Sequence, residues 1–89
     1  MKKQLEGKLK NKLEKDIITF FYTNQGSIDT VSGVAAWVHE DKKKVKKALE
    51  SLVEIGVLEY DSTGAAKGYC YTRDKETMKI IKKVIETNE

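Results

Sequence analysis

From Leu5 an apolar residue returns every fourth position, at Leu9, Leu13 and Ile17, and Phe20 and Phe21 follow. That spacing lays one slowly turning apolar stripe along a helix over roughly residues 3–23. The stretch "TNQGS" breaks it, and Gly26 is the candidate for the residue just past the helix end. "SID" reads as a short extended piece. "DTVSGVAAWVHE" predicts a second, shorter helix, capped by Asp29 or Thr30, with Val31, Val34, Ala35 and Val38 on its inner side. Gly33 costs that helix roughly 1 kcal/mol against alanine. It reads either as a place where another backbone comes close or as a neutral occupant.

Asp41 is placed to cap a third helix. Stepping about 100° per residue from Val45, positions Leu49, Leu52 and Gly56 fall within about 40° of it, with Ala48 and Val53 on the flanks. Lys43, Lys47 and Glu54 fall on the far side, and Lys44, Lys46 and Glu50 lie between. The lysines at 42, 43, 44, 46 and 47 therefore make an exposed face, densest over the first two turns. Gly56 ends this helix. "VLEYDS" follows as a strand, "TGAAKG" as a turn-rich tip, and "YCYT" as a returning strand with Tyr69 and Tyr71 on one face and Cys70 on the other. Asp74 caps a last helix over residues 74–88. Its apolar residues Met78, Ile80, Ile81, Val84 and Ile85 spread over about 160° of the circumference, wider than one packing partner needs.

Length and composition narrow the class. Eighty-nine residues make a single domain, 1–89. With 39% hydrophobic and 35% charged residues, it reads as a small soluble globule. No run approaches the ~20 apolar residues that cross a bilayer. "MKKQLEGKLKNKLEK" lacks the apolar centre of a signal peptide, so the expected location is cytoplasmic and no membrane partner is expected. Cys70, the single cysteine, excludes an intramolecular disulfide and suits a reducing compartment.

The net charge of +3 says little until its distribution is read. Residues 1–24 hold six lysines against Glu6, Glu14 and Asp16, and residues 41–56 hold five against Asp41, Glu50 and Glu54. The other stretches nearly cancel, so positive charge gathers on two helices. Lys43 and Lys47 stand at i,i+4 with like charge, which costs helix stability and which a partner anion would relieve. A purely solvated face, with Lys46 or Lys47 paired to Glu50 for about a few tenths of a kcal/mol, is the plainer alternative.

The order helix, short strand, helix, helix, hairpin, helix resembles the winged helix-turn-helix family of small prokaryotic regulators across nearly the whole chain. "GVAAWV" looks like the family's second helix, with Ala35 or Ala36 where the central helices touch. "VKKALESLVEIGVLEY" looks like its third helix running through glycine into the wing, and "YCYT" like the return strand. The resemblance implies an α+β, mostly helical fold. Its parts would be a three-helix core, a helix-turn-helix over 29–56, a β-hairpin wing over 57–72, an extra C-terminal helix, and an extended N-terminal helix with 1–12 as its extension.

The resemblance also implies a function. The third helix would enter the major groove of double-stranded DNA through Lys43, Lys44, Lys46 and Lys47, with Lys42 at its start and Lys67 at the wing tip. Thr30 and Ser32 would reach phosphate from the start of the second helix. Base edges are most often read by Arg, Asn and Gln, whereas this face offers lysine, so the implied binding is phosphate-driven and of modest sequence preference. A second likeness, "VKKALESLVEIGVLEYDSTG" to the winged-helix accessory protein of dissimilatory sulfite reductase, implies instead a protein–protein module regulating a partner enzyme or complex.

Other chemistry is thinly represented. No paired carboxylates, nucleophile–base set or G-x-x-x-x-G-K-[ST] phosphate loop occurs, so neither an enzyme nor a cofactor is expected. His39 and Cys70 stand alone in sequence, so no metal site is expected. Trp37, Phe20, Phe21, Tyr60, Tyr69 and Tyr71 read as core or wing-base packing. Leu5 and Leu9 lie beyond what one such domain covers, and the last helix is too broadly apolar. The expectation is a homodimer that buries Leu5 and Leu9 against Ile80, Ile81, Val84 and Ile85 of the mate.

Overall fold

The structure, a computed structural model, describes residues 12–64 and 67–87. In chain order its elements are α1 (Lys12–Thr23), β1 (Ile28–Asp29), α2 (Val31–Val38), α3 (Lys42–Glu54), β2 (Leu58–Asp61), β3 (Gly68–Tyr71) and α4 (Lys75–Thr87). The class is α+β and mostly helical, as the sequence predicts. Apart from Lys12, the extension expected over 1–12 lies outside the described residues.

Local signals set most boundaries. The α1 stripe drives Ile17, Ile18 and Phe21 fully into the core. Its end owes nothing to Gly26: Asn24 closes it by donating both its backbone N–H and its Nδ2 to the Phe20 carbonyl, at 3.0 and 2.9 Å. Thr30, rather than Asp29, caps α2, its Oγ1 accepting from the Gly33 N–H at 3.1 Å. No backbone crowds Gly33; a β-carbon there would meet the side-chain oxygens of Asp29 and Thr30. Asp41 caps α3, its Oδ2 accepting from the Lys43 N–H at 3.1 Å. Asp74 caps α4 by accepting from the Thr77 N–H and hydroxyl, at 2.9 and 2.6 Å.

The end of α3 fixes where the hairpin starts. Gly56 takes φ 87°, a left-handed conformation that costs glycine nothing, and the chain reverses over two bonds. Val57 N–H donates to the Leu52 carbonyl at 2.9 Å and Gly56 N–H to Val53 at 3.0 Å. Val57 and Leu52 are both fully buried, so the same turn that ends the helix adds to the core.

The sheet is antiparallel, in the order β1-β3-β2. Ile28 pairs with Cys70 and Asp29 with Tyr69 on one side of β3; Leu58 pairs with Tyr71 and Tyr60 with Tyr69 on the other. A β-carbon on Gly68 would stand 2.6 Å from the Asp29 carbonyl oxygen, so glycine is what lets β1 close on β3. Thr72 N–H donates to the Val57 carbonyl at 3.1 Å and shuts the hairpin base.

The core lies where α1, α2 and α3 meet the inner face of this sheet. Val34, Val45, Leu49, Leu52, Val57 and Ile81 are fully buried there, each such side chain contributing about 1.5–3 kcal/mol. Ala35, not Ala36, is the buried small residue of α2. α4 closes the core with Ile81 and Ile85, and Tyr22 Oη donates to Glu86 Oε2 at 3.2 Å. Of the aromatic residues expected in core or wing-base packing, two are half open: Trp37 is 53% exposed, and Tyr60, packed on Tyr69 across the hairpin, is 52% exposed. Trp37 lies at the rim of the α1–α2 contact, and Tyr60, although on the same strand face as Leu58, lies beyond the edge of the core.

Candidate functional site

The Asp41 cap starts α3 so that Val45, Ala48, Leu49 and Leu52 are buried, and Lys42, Lys43, Lys44, Lys46 and Lys47 are all exposed. Among the described residues none of the five forms an ion pair within 4 Å. The pairing of Lys46 or Lys47 with Glu50 is therefore absent, and among the described residues neither Lys43 nor Lys47 has an ion-pair partner within 4 Å.

Two grooves flank this face. On the hairpin side, Thr30, Lys46, Tyr60 and Lys67 surround a cavity of ≈ 300 Å³. Its floor includes Tyr69, whose ring meets that of Tyr60 edge-on, with centroids 5.0 Å apart and planes at 69°. Burial and then the nearby Glu50 push the Tyr69 phenol above its ordinary pKa. On the α1 side, Lys44 and Lys47 share a cavity of ≈ 590 Å³ with Glu14 and Glu40. Glu14 is only 7% exposed despite its charge, a burial that its place on the α1 stripe beside Leu13 foreshadows.

The remaining candidates fall outside this cluster or at its margin. Ser32 is exposed on the first turn of α2 beside the Thr30 cap. His39 sits in the turn between α2 and α3 with φ 58° and ψ 49°. Among the described residues no group of three or more His, Cys, Asp and Glu is placed to hold a metal ion. Cys70 is buried, and desolvation raises its thiol pKa, which disfavours the reactive thiolate. Arg73 lies across the hairpin, 3.7 Å from Asp61 and 4.0 Å from Glu59, and its backbone N–H donates to Glu59 at 2.7 Å. The acidic residues of β2 are thus held away from the lysine face.

Of the residues expected at a dimer interface, Leu5 and Leu9 lie outside the described residues. Ile81 and Ile85 belong to this chain's own core, which removes them from any surface. Ile80 and Val84 are half-buried against that core. Trp37, expected in core or wing-base packing, lies on Phe20 with centroids 4.8 Å apart and half of its surface open.

A helix-turn-helix whose second helix runs through glycine into a hairpin packed on a three-helix core defines the winged-helix fold, and the described residues have it. The chain is similar to a solved structure, a "possible transcriptional regulator" from Methanosarcina mazei Go1, with a TM-score of 0.69. Identity is 15%, covering 96% of this chain and 76% of that one, so the likeness is one of fold. No protein-family model and no curated protein matches the chain. Among the described residues no helix is long and apolar enough to cross a membrane.

Proposed function

We propose that this protein is a DNA-binding transcriptional regulator that lays α3 in the major groove, with the hairpin touching the neighbouring backbone. The observation that carries the reading is the face of five exposed lysines, none of them in an ion pair within 4 Å among the described residues, on the second helix of a helix-turn-helix. Double-stranded DNA supplies the missing anions as a regular array of phosphates, and each one neutralised releases condensed counterions. The name of the structural neighbour supports the same reading. Because the face offers ammonium groups, which act as flexible point charges, affinity comes from phosphate and sequence preference stays modest.

The test is a fluorescence-anisotropy titration on arbitrary duplex DNA at two salt concentrations. Affinity should fall steeply with salt. Lys43→Glu with Lys47→Glu should abolish binding while the helical circular dichroism is unchanged, since neither residue touches the core. A folded double mutant of undiminished affinity would refute the role given to α3. A selected site preferred by more than ~10³-fold over unrelated duplex would place the protein among ordinary specific repressors.

A homodimer suits this function, since two lysine helices would meet successive major grooves. Its interface draws on Leu5 and Leu9 against Ile80 and Val84 of the mate, now without Ile81 and Ile85. Sedimentation equilibrium at micromolar concentration decides it. A monomer mass ends the dimer, whereas splitting by Leu5→Glu with Leu9→Glu locates it. The half-open Trp37 favours a second reading, a module that docks on a protein partner, because exposed aromatic anchors are common centres of protein interfaces. Salt-insensitive failure to bind any duplex would move the weight to that reading.

A further inference from the structure

We infer that the cavity on the α1 side of α3 binds a small zwitterion, an α-amino acid with an apolar side chain, and that its occupancy releases DNA; the second half rests on the DNA-binding reading above. At ≈ 590 Å³ the cavity falls within the roughly 300–1,000 Å³ of small-molecule sites. Its charges are divided between its walls. Lys44 and Lys47, one turn apart on α3, bring two ammonium groups. Glu14 of α1 and Glu40 of the turn before α3 bring two carboxylates, and Ser51 adds a hydroxyl. Leu13 and Ala48 supply apolar surface. Among the described residues none of Glu40, Lys44 and Lys47 forms an ion pair within 4 Å, so the two signs line one space without closing on each other. Glu14 is only 7% exposed, and a hydrogen bond made to its carboxylate inside the cavity is little screened by water.

A lone anion entering this cavity meets two carboxylates, and a lone cation meets two ammonium groups. A molecule with both charges on one carbon gives each wall its counter-charge. Its carboxylate takes charge-assisted hydrogen bonds from Lys44 and Lys47, and its ammonium donates to Glu14 and Glu40. An apolar side chain on that carbon covers Leu13 and Ala48. The groove on the hairpin side offers no such match, because among the described residues no carboxylate lines it. Regulation follows from shared residues. Lys44 and Lys47 belong to the face that meets phosphate, and a ligand carboxylate seated on them withdraws their charge from the duplex. Amino acid and DNA therefore weaken each other's binding by the same factor.

The probe is L-phenylalanine, with hydrocinnamate and phenethylamine as controls that keep one charge each. In an NMR titration of the full chain without DNA, phenylalanine should shift the backbone amides of Leu13, Ala48 and Ser51, with a dissociation constant on the order of 1 mM. Each control should bind about tenfold more weakly or worse, as should phenylalanine to Glu40→Gln and to Lys44→Gln. Both substituted residues are exposed, and circular dichroism checks that the variants fold. In anisotropy across a salt series, saturating phenylalanine should lower the affinity for a labelled duplex and reduce the slope of log affinity against log salt by about two. Shifts confined to other residues, or a control that binds as tightly as phenylalanine, overturn the site while the DNA-binding reading stands. Phenylalanine bound in the cavity with duplex affinity unchanged overturns the coupling. A chain that takes phenylalanine there yet binds no duplex at low salt loses the DNA-binding reading and keeps the site.

Discussion

Gly68 and Asp29 approach so closely that a β-carbon on the glycine would stand 2.6 Å from the aspartate's carbonyl oxygen and 2.9 Å from its carbonyl carbon. Backbone cannot yield as a flexible side chain does, so β1 and β3 would have to part. Gly68→Ala should lower stability by about 1–3 kcal/mol, read as a lower urea midpoint with an unchanged slope. Gly26→Ala is the control. Nothing lies within 4 Å of its added carbon, and stiffening the unfolded chain should raise stability by about 0.4–1 kcal/mol.

Trp37 is the chain's sole tryptophan, so its fluorescence reports on one place. With half its surface in water, its emission should lie towards that of free indole and be quenched readily by acrylamide. A blue-shifted, protected emission in the purified protein would mean that something covers it. Dilution then distinguishes a second copy, whose departure exposes the ring, from cover within one chain.

His39 holds φ 58° at the end of α2, a conformation that costs a side-chain-bearing residue energy and glycine none. His39→Gly should therefore raise the thermal midpoint, by the equivalent of about 0.5–1 kcal/mol. His39→Val, branched at the β-carbon, should lower it. If both variants matched the wild type, the turn would be adopting another conformation in solution.

Stability should fall at both ends of the pH range for different reasons. Burial, with a smaller push from Tyr22, takes the Tyr71 phenol up to about 12 from its ordinary 10.0. The unfolded chain loses that proton first, so the contribution is whole below pH 10 and is lost as pH rises through about 12. At the acid end, hydrogen bonds from the side chain and backbone of Thr77 hold the Asp74 carboxyl below its ordinary 3.8. That contribution is present above the ordinary value and lost as pH falls through the lowered one. Urea midpoints against pH should show both limbs, with Tyr71→Phe flattening the alkaline one and Asp74→Asn the acid one.

What the sequence makes legible here is local. The caps at Asp41 and Asp74, the glycine that ends α3 and the seam through Val45, Leu49 and Leu52 all depend on neighbours within a turn or two, and each is found in the structure. Trp37 and Tyr60 each pack on another ring yet stay half open, for one shared reason. Periodicity tells which way a side chain points, and depth depends on how far the packed neighbour extends, which only the tertiary arrangement decides. Gly68 escapes notice because the crowding comes from Asp29, far away in sequence. The lysine face was legible as a face. That one flank meets a hairpin and the other meets Glu14 and Glu40 was not, since a helical wheel carries no neighbours.

The joint between α3 and β2 has a further consequence. Only Ile55, Gly56 and Val57 lie between helix and strand, and Val57 is tied back to Leu52. One residue inserted into the last turn of α3 would rotate everything after it by about 100°, carrying Tyr60 and Lys67 away from Lys46. Residues added between Ser62 and Lys67 impose no such rotation. Descendants of a common ancestral gene should therefore vary in length at the hairpin tip and keep the count from Asp41 to Leu58 constant, which a set of diverged sequences would show directly.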